Sequence, residues 1–211
     1  MLSLTRFLAL AALLTCATSS WAISWLEAGD AGDTLIAAQH VTDPGVTAIL
    51  GSLNDNQDAD IYRIYVSNGA SFRAETLQDF PTLMADPTLY LFRADGTAAL
   101  FATDGGVGAQ ALLLGHAGLA PGFYYLAISS VGNFAVNAAN QQVNAINGRV
   151  FDHWSQLGTQ RGSYQIMLQG VGVPAPSAAL AFGAMAFARR RKRRFCSRGD
   201  RLRVARVKLA A

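Results

Sequence analysis

The sequence predicts an all-β protein, a jelly-roll-like β-sandwich that stands without disulfides. Three observations lead there. Eight short runs of strand character are separated by turn signals rich in Gly, Asp, Asn and Pro. No long segment between Ile23 and Val171 has a helical period, and that stretch contains no cysteine, because Cys16 and Cys196 lie towards the two ends of the chain. About 150 residues suffice to bury one core without crosslinks, so a single domain is expected.

The chain begins with a segment to be removed. Residues 1–22 carry one cation, Arg6, then the apolar run 7–14, then small residues ending Ser20-Trp21-Ala22. This is the order of a secretory signal peptide cut by signal peptidase after Ala22, and a run of eight is too short to span a bilayer. The mature domain then occupies residues 23–171.

Its strands are expected at 46–53, 61–66, 71–76, 88–93, 98–103, 110–114, 123–129 and 163–168. Ile61-Tyr62-Arg63-Ile64-Tyr65-Val66 alternates in part, as a strand with one wet face does. Ser67-Asn68-Gly69, Ala94-Asp95-Gly96 and Pro121-Gly122 supply the breaks. Tyr62, Tyr65, Tyr124 and Tyr125 are expected to fill a sheet face with their hydroxyls towards water. The Asn- and Gln-rich stretch 131–161 reads as a long insertion that Phe151 and Trp154 tuck down at one end while the rest stays loose.

Beyond the domain, Val173-Pro174-Ala175-Pro176 is followed by the apolar run 177–188 and the cluster Arg189-Arg190-Arg191-Lys192-Arg193-Arg194. Proline opening a short apolar helix and arginines closing it describe a segment that enters a membrane and halts with its charges on the cytoplasmic side. Twelve apolar residues fall short of the roughly 20 needed to span, so the anchoring is expected to be transient or weak. Residues 172–194 resemble the PEP-CTERM sorting signal, with Val173, Pro174, Pro176, Arg189, Arg190 and Arg191 in the matching places and Ala175 where Glu is usual. The resemblance implies processing by an exosortase-type enzyme and delivery to the cell envelope or the extracellular space. Residues 195–211 form a basic tail.

Charge follows the same division. Residues 23–173 hold five Arg, no Lys and thirteen acids, a net −8, whereas residues 189–211 hold eleven cations and one acid. The high pI belongs to the tail and does not indicate nucleic acid, and an acidic exported domain disfavours polyanions while leaving divalent cations open.

A second resemblance covers residues 25–171. Glu27-Ala-Gly-Asp30-Ala-Gly-Asp33, Ile49-Leu-Gly51-Ser-Leu53, Asp58-Ala-Asp60-Ile-Tyr62, Asp86-Pro-Thr-Leu89 through Asp95-Gly96, and Leu119-Ala-Pro-Gly122-Phe-Tyr124 follow one another as in bacterial pre-peptidase C-terminal (PPC) domains. The resemblance implies a compact jelly-roll sandwich and, as in some members, calcium held between an acidic amino-terminal segment and the acids at Asp58 and Asp60.

The residues give their own reason for calcium. Asn54-Asp55-Asn56-Gln57-Asp58-Ala59-Asp60 packs hard oxygen donors into one loop, and Glu27, Asp30 and Asp33 are available to complete a shell. Against this, an acid just before a strand commonly caps or solubilises a turn. The metal-ligand set is therefore Glu27, Asp30, Asp33, Asp55, Asp58 and Asp60, with Ca²⁺ as the cofactor. No catalytic set is found: His40, His116 and His153 lack metal-ligand spacing, no Gly-x-Ser-x-Gly elbow occurs, and Gly105-Gly-Val-Gly108 is a turn rather than a phosphate cradle. The expected protein is a non-enzymatic, exported binding or structural component of the cell surface or extracellular matrix. Its expected partner is extracellular polysaccharide; the alternative is an accessory module for a secreted hydrolase or peptidase.

Overall fold

Alternating burial along the strands sorts their side chains onto two faces, and that alternation builds the molecule. The structure, a computed structural model, describes residues 23–78 and 84–172. In chain order the strands are β1 (Ile23–Leu26), β2 (Gln39–His40), β3 (Val46–Leu53), β4 (Ala59–Val66), β5 (Arg73–Thr76), β6 (Pro87–Phe92), β7 (Ala98–Ala102), β8 (Leu112–Leu114), β9 (Gly122–Ser130), β10 (Ala135–Val136), β11 (His153–Trp154) and β12 (Gly162–Gln169). All eight strands expected from the sequence are present, within a few residues of their expected bounds. The short β1, β2, β10 and β11 are additional.

Two five-stranded sheets result, ordered β1-β3-β12-β5-β8 and β2-β4-β9-β6-β7, and they make a β-sandwich. Pairing is antiparallel except at one side of each sheet, where β1 runs parallel to β3 and β2 parallel to β4. The amino-terminal segment therefore serves both sheets in turn. Residues 27–38 cross between β1 and β2, and the acids of this crossing lie where it passes β3 and β4.

Ile49, Tyr62, Ile64, Leu89, Leu91, Leu126, Ile128 and Ile166 meet between the sheets. Each fully buried aliphatic side chain contributes roughly 1.5–3 kcal/mol of transfer free energy. The outward face of the first sheet carries polar positions such as Arg73, Glu75 and Gln165. Part of the outward face of the second is apolar: every residue of β6 is buried, and Ile61, Tyr90, Phe92 and Ala127 form a second cluster there.

Residues 131–161 cover that second cluster, which corrects the expectation of a loose insertion. Ala135, Val143, Phe151 and Trp154 are buried against the sheet. Tyr90 stacks on Phe92 at 5.2 Å and meets Trp154 edge-on at 5.7 Å, and its hydroxyl accepts from the Ala135 N–H at 3.1 Å. Trp154 Nε1 donates to the Asp33 carbonyl at 2.8 Å, tying the insertion to the amino-terminal crossing. The asparagines shape its turns: Asn137 Oδ1 accepts from the Ala139 and Gln141 N–H groups, and Asn144 Oδ1 from those of Ile146 and Asn147.

Among the described residues no helix is long and apolar enough to cross a membrane. The expected signal peptide, the expected sorting residues Val173, Pro174, Pro176, Arg189, Arg190 and Arg191, and the tail lie outside the described residues.

Candidate metal centre

Asp60 shares the inward parity of Tyr62, Ile64 and Val66 on β4, so the strand that buries those residues buries Asp60 with them. Asp60 is 0 % exposed, so of the two roles weighed for it the solvated turn residue falls. Its Oδ2 accepts from the Tyr164 hydroxyl at 2.6 Å, and that hydroxyl lies 2.6 Å from the hydroxyl of Tyr62. Tyr164 comes from β12 of the first sheet and Tyr62 from β4 of the second, so the chain of hydrogen bonds joins the two sheets through the core. The Tyr62 hydroxyl thus reaches a buried partner rather than water.

The other oxygen of Asp60, Oδ1, is buried and has no hydrogen-bond partner among the described residues. A carboxylate oxygen left so costs on the order of 1–3 kcal/mol, more when charged. Glu27 and Asp30 bring their own carboxylates to the same place, with one ligand oxygen from each of Glu27, Asp30 and Asp60 all within 4.8 Å of one another. Among the described residues this is the one such set of three acidic, histidine or cysteine side chains.

Local structure fixes each member. Glu27 follows β1; its Oε2 accepts from the Ser52 N–H on β3 at 2.8 Å, and its Oε1 from the Ala31 N–H at 2.9 Å. Gly51 leaves room for this approach, since a Cβ there would collide with the Tyr164 hydroxyl and with Glu27 Oε2. Gly32 has φ +72°, and its carbonyl accepts from the Ile61 N–H at 3.1 Å, which lays the crossing against β4 beside Asp60. Gln39 clamps the far end, exchanging two hydrogen bonds with the backbone of Ala28 at 3.1 and 2.9 Å.

The electrostatics are those of an anionic cluster. Burial pushes the Asp60 carboxyl up to about 8; the Tyr164 bond works the other way, and the charges of Glu27, Asp58 and Asp30 add to the rise. Asp58 is also raised, first by burial and then by Asp30 and Asp55 against its backbone hydrogen bonds. Burial raises the Tyr62 and Tyr164 hydroxyls as well, which keeps both neutral donors.

The remaining sequence-predicted ligands do other things. Asp58 Oδ2 accepts from the Asn54 N–H at 2.6 Å, and Asp55 Oδ1 accepts from the Gln57 and Asp58 N–H groups at 2.7 and 3.0 Å. These bonds shape the 54–58 turn, although Asp58 remains close enough to Asp30 and Asp60 for their charges to interact. Asp33 is exposed, and its carbonyl is occupied by Trp154. The sequence reading missed Tyr164, whose inward parity with Ile166 and Leu168 was the available signal.

Chemically, three converging carboxylates with one uncompensated buried oxygen suit a hard cation. Glu27, Asp30 and Asp60 would hold it, and the charge it brings would offset both their mutual repulsion and the desolvation of Asp60. The histidines lie elsewhere: His40 is exposed on β2, His116 Nδ1 accepts from the Gly118 N–H at 3.1 Å, and His153 sits between Asp152 and Asn140.

No protein-family model and no curated protein sequence matches the chain. Among solved structures it is similar to the pre-peptidase C-terminal domain of a collagenase from Bacillus anthracis, at 16 % identity and a TM-score of 0.37, covering 62 % of this chain and 93 % of that one.

Proposed function

We propose that this protein is an exported, non-enzymatic β-sandwich that works as a binding or structural component of the cell surface or extracellular matrix. A calcium ion at Glu27, Asp30 and Asp60 holds its amino-terminal crossing in place. The observation that carries the reading is the buried, unpartnered Oδ1 of Asp60 facing two further carboxylates. Oxygen-only donors favour Ca²⁺ over softer metals, and an extracellular setting supplies it at concentrations that fill sites with Kd of about 10⁻⁴–10⁻³ M. Export is supported by the signal peptide, the cysteine-free acidic domain and the Arg-terminated apolar segment of the sequence. Signal peptidase and an exosortase-type enzyme are the processing partners in this reading.

Native mass spectrometry of the protein released from the surface of its host tests both parts at once. The expected species begins near Ile23, ends near Val173 and carries one calcium ion. A cytosolic species with both ends intact overturns export, and a surface species free of calcium at millimolar Ca²⁺ overturns the cation.

A further inference from the structure

The insertion at residues 131–161 covers only part of the second sheet's outward face. The other part carries Arg63 and Tyr65 of β4 opposite Tyr125 and Phe123 of β9. Phe123 is 47 % exposed, the Arg63 guanidinium lies 4.0 Å from the centre of its ring, and Tyr65 meets that ring edge-on at 5.2 Å. His40 on β2 pairs with Arg63 in register and is exposed beside it. Aromatic rings and a cation thus share one small patch, with Phe123 exposed, Arg63, Tyr65 and Tyr125 half-buried, and Tyr125 also packed against the second cluster.

Arg63 is set apart by what its guanidinium rests on, the Phe123 ring. The domain has five arginines against thirteen acids, yet among the described residues only Arg73 pairs with an acid, Glu75, and Arg63, like Arg93, Arg149 and Arg161, does not. Its guanidinium is held instead by the Phe123 ring, an arrangement that leaves its N–H groups free for an outside acceptor. The position on the sheet limits what that acceptor belongs to. β4 and β9 are interior strands, so no backbone edge is open for a peptide to add as a strand. Four side chains fall far short of the roughly 20–30 residues a stable protein partner covers on each side.

We propose that Arg63, Tyr65, Phe123 and Tyr125 bind an acidic polysaccharide whose carboxylates are spaced along the chain, as in a uronate-containing glycan. The C–H faces of the sugar rings pack on the aromatic side chains, the tyrosine hydroxyls bond ring hydroxyls, and Arg63 pairs with a carboxylate. The net charge of −8 sets the same limit from the other side: a densely charged polyanion is repelled by the domain as a whole, whereas isolated carboxylates meet one guanidinium at a time. The proposal rests on the exported reading above and gives it a ligand class and a face.

The test is titration calorimetry on the purified protein with short oligomers in which uronate and neutral sugars alternate and with the same oligomers after reduction of their carboxyl groups to neutral alcohols, in chelator and in calcium. The wild type should prefer the carboxylated oligomer. Arg63→Gln should weaken that binding at least tenfold while leaving the neutral oligomer unaffected, and Phe123→Ala should weaken both. Arg73→Gln, on the other sheet, should behave as wild type. Melting curves establish that each variant is folded, and the Arg63→Gln variant keeps the test decisive if Phe123→Ala unfolds. Failure of the wild type to bind, or equal binding by Arg63→Gln and Arg73→Gln, overturns the proposal. A melting temperature that still rises with calcium while no oligomer binds removes the glycan surface alone, whereas oligomer binding without that rise removes the cation alone.

Discussion

In the presence of a chelator, the protein should be more stable at pH 5 than at pH 8 by on the order of 3–5 kcal/mol. The sign follows from Asp60. Its folded-state carboxyl is raised to about 8, against 3.8 for an unperturbed aspartate, chiefly by burial. Below the unfolded value the proton is bound in both states and the folded state is at its best. As pH rises from about 4 towards 8, the unfolded chain gives up its proton freely and the folded one does not, so stability falls throughout that window. Asp58 and Asp86, both raised chiefly by burial, act in the same direction. Asp60→Asn should flatten most of the slope, because an amide cannot ionise and can still accept from Tyr164. Urea unfolding at four or five pH values measures it. A stability that rises from pH 5 to pH 8 in chelator would contradict the burial that raises the Asp60 carboxyl.

The second large effect is expected at Trp154. It is 4 % exposed, packs on Tyr90 and Phe151, and donates its indole N–H to the Asp33 carbonyl. Trp154→Ala removes that packing and the hydrogen bond together and should cost about 3–5 kcal/mol. At 2–4 °C per kcal/mol for a domain of this size, the melting temperature should drop by roughly 10 °C. Residues 135–151 should also become open to protease and to hydrogen exchange, while strands such as β9 stay protected. A loss below about 1 kcal/mol would show that the insertion is not packed on the sheet in solution.

Much of the sandwich was legible because its strands are long enough to have a period. The eight strands read from sequence include the inward rows Tyr62-Ile64-Val66 and Tyr164-Ile166-Leu168, in which alternation carries the information. β2, β10 and β11 are two residues each and cannot show a period, and β1 is an edge strand held by partner and register rather than by its own pattern. The insertion was misjudged for a physical reason: asparagine is common both in loose loops and in tight Asx turns, and here the turns present Ala135, Val143, Phe151 and Trp154 to one face. For the site, Glu27, Asp30 and Asp60 were all among the acids singled out. Which acids converge depends on the crossing of residues 27–38 between the sheets, and nothing local in the sequence encodes that path. The burial of Asp60 was readable from its parity with Tyr62; its bond to Tyr164, a hundred residues on, was not.

The central claim is that the cluster of Glu27, Asp30 and Asp60 binds calcium and that this binding stabilises the domain. The most direct measurement is the melting temperature at pH 7.5 in chelator and then at increasing Ca²⁺, for the wild type, Glu27→Gln and Asp60→Asn. With a Kd of about 10⁻⁴–10⁻³ M, 10 mM Ca²⁺ adds roughly 1.4–2.7 kcal/mol, a rise of about 3–10 °C in the wild type. Both variants should lose that rise, and Asp60→Asn should melt in chelator at or above the wild-type temperature, because the amide has no proton to hold where the unfolded aspartate ionises. A wild type indifferent to calcium, or variants that gain as much from it as the wild type does, would contradict the claim.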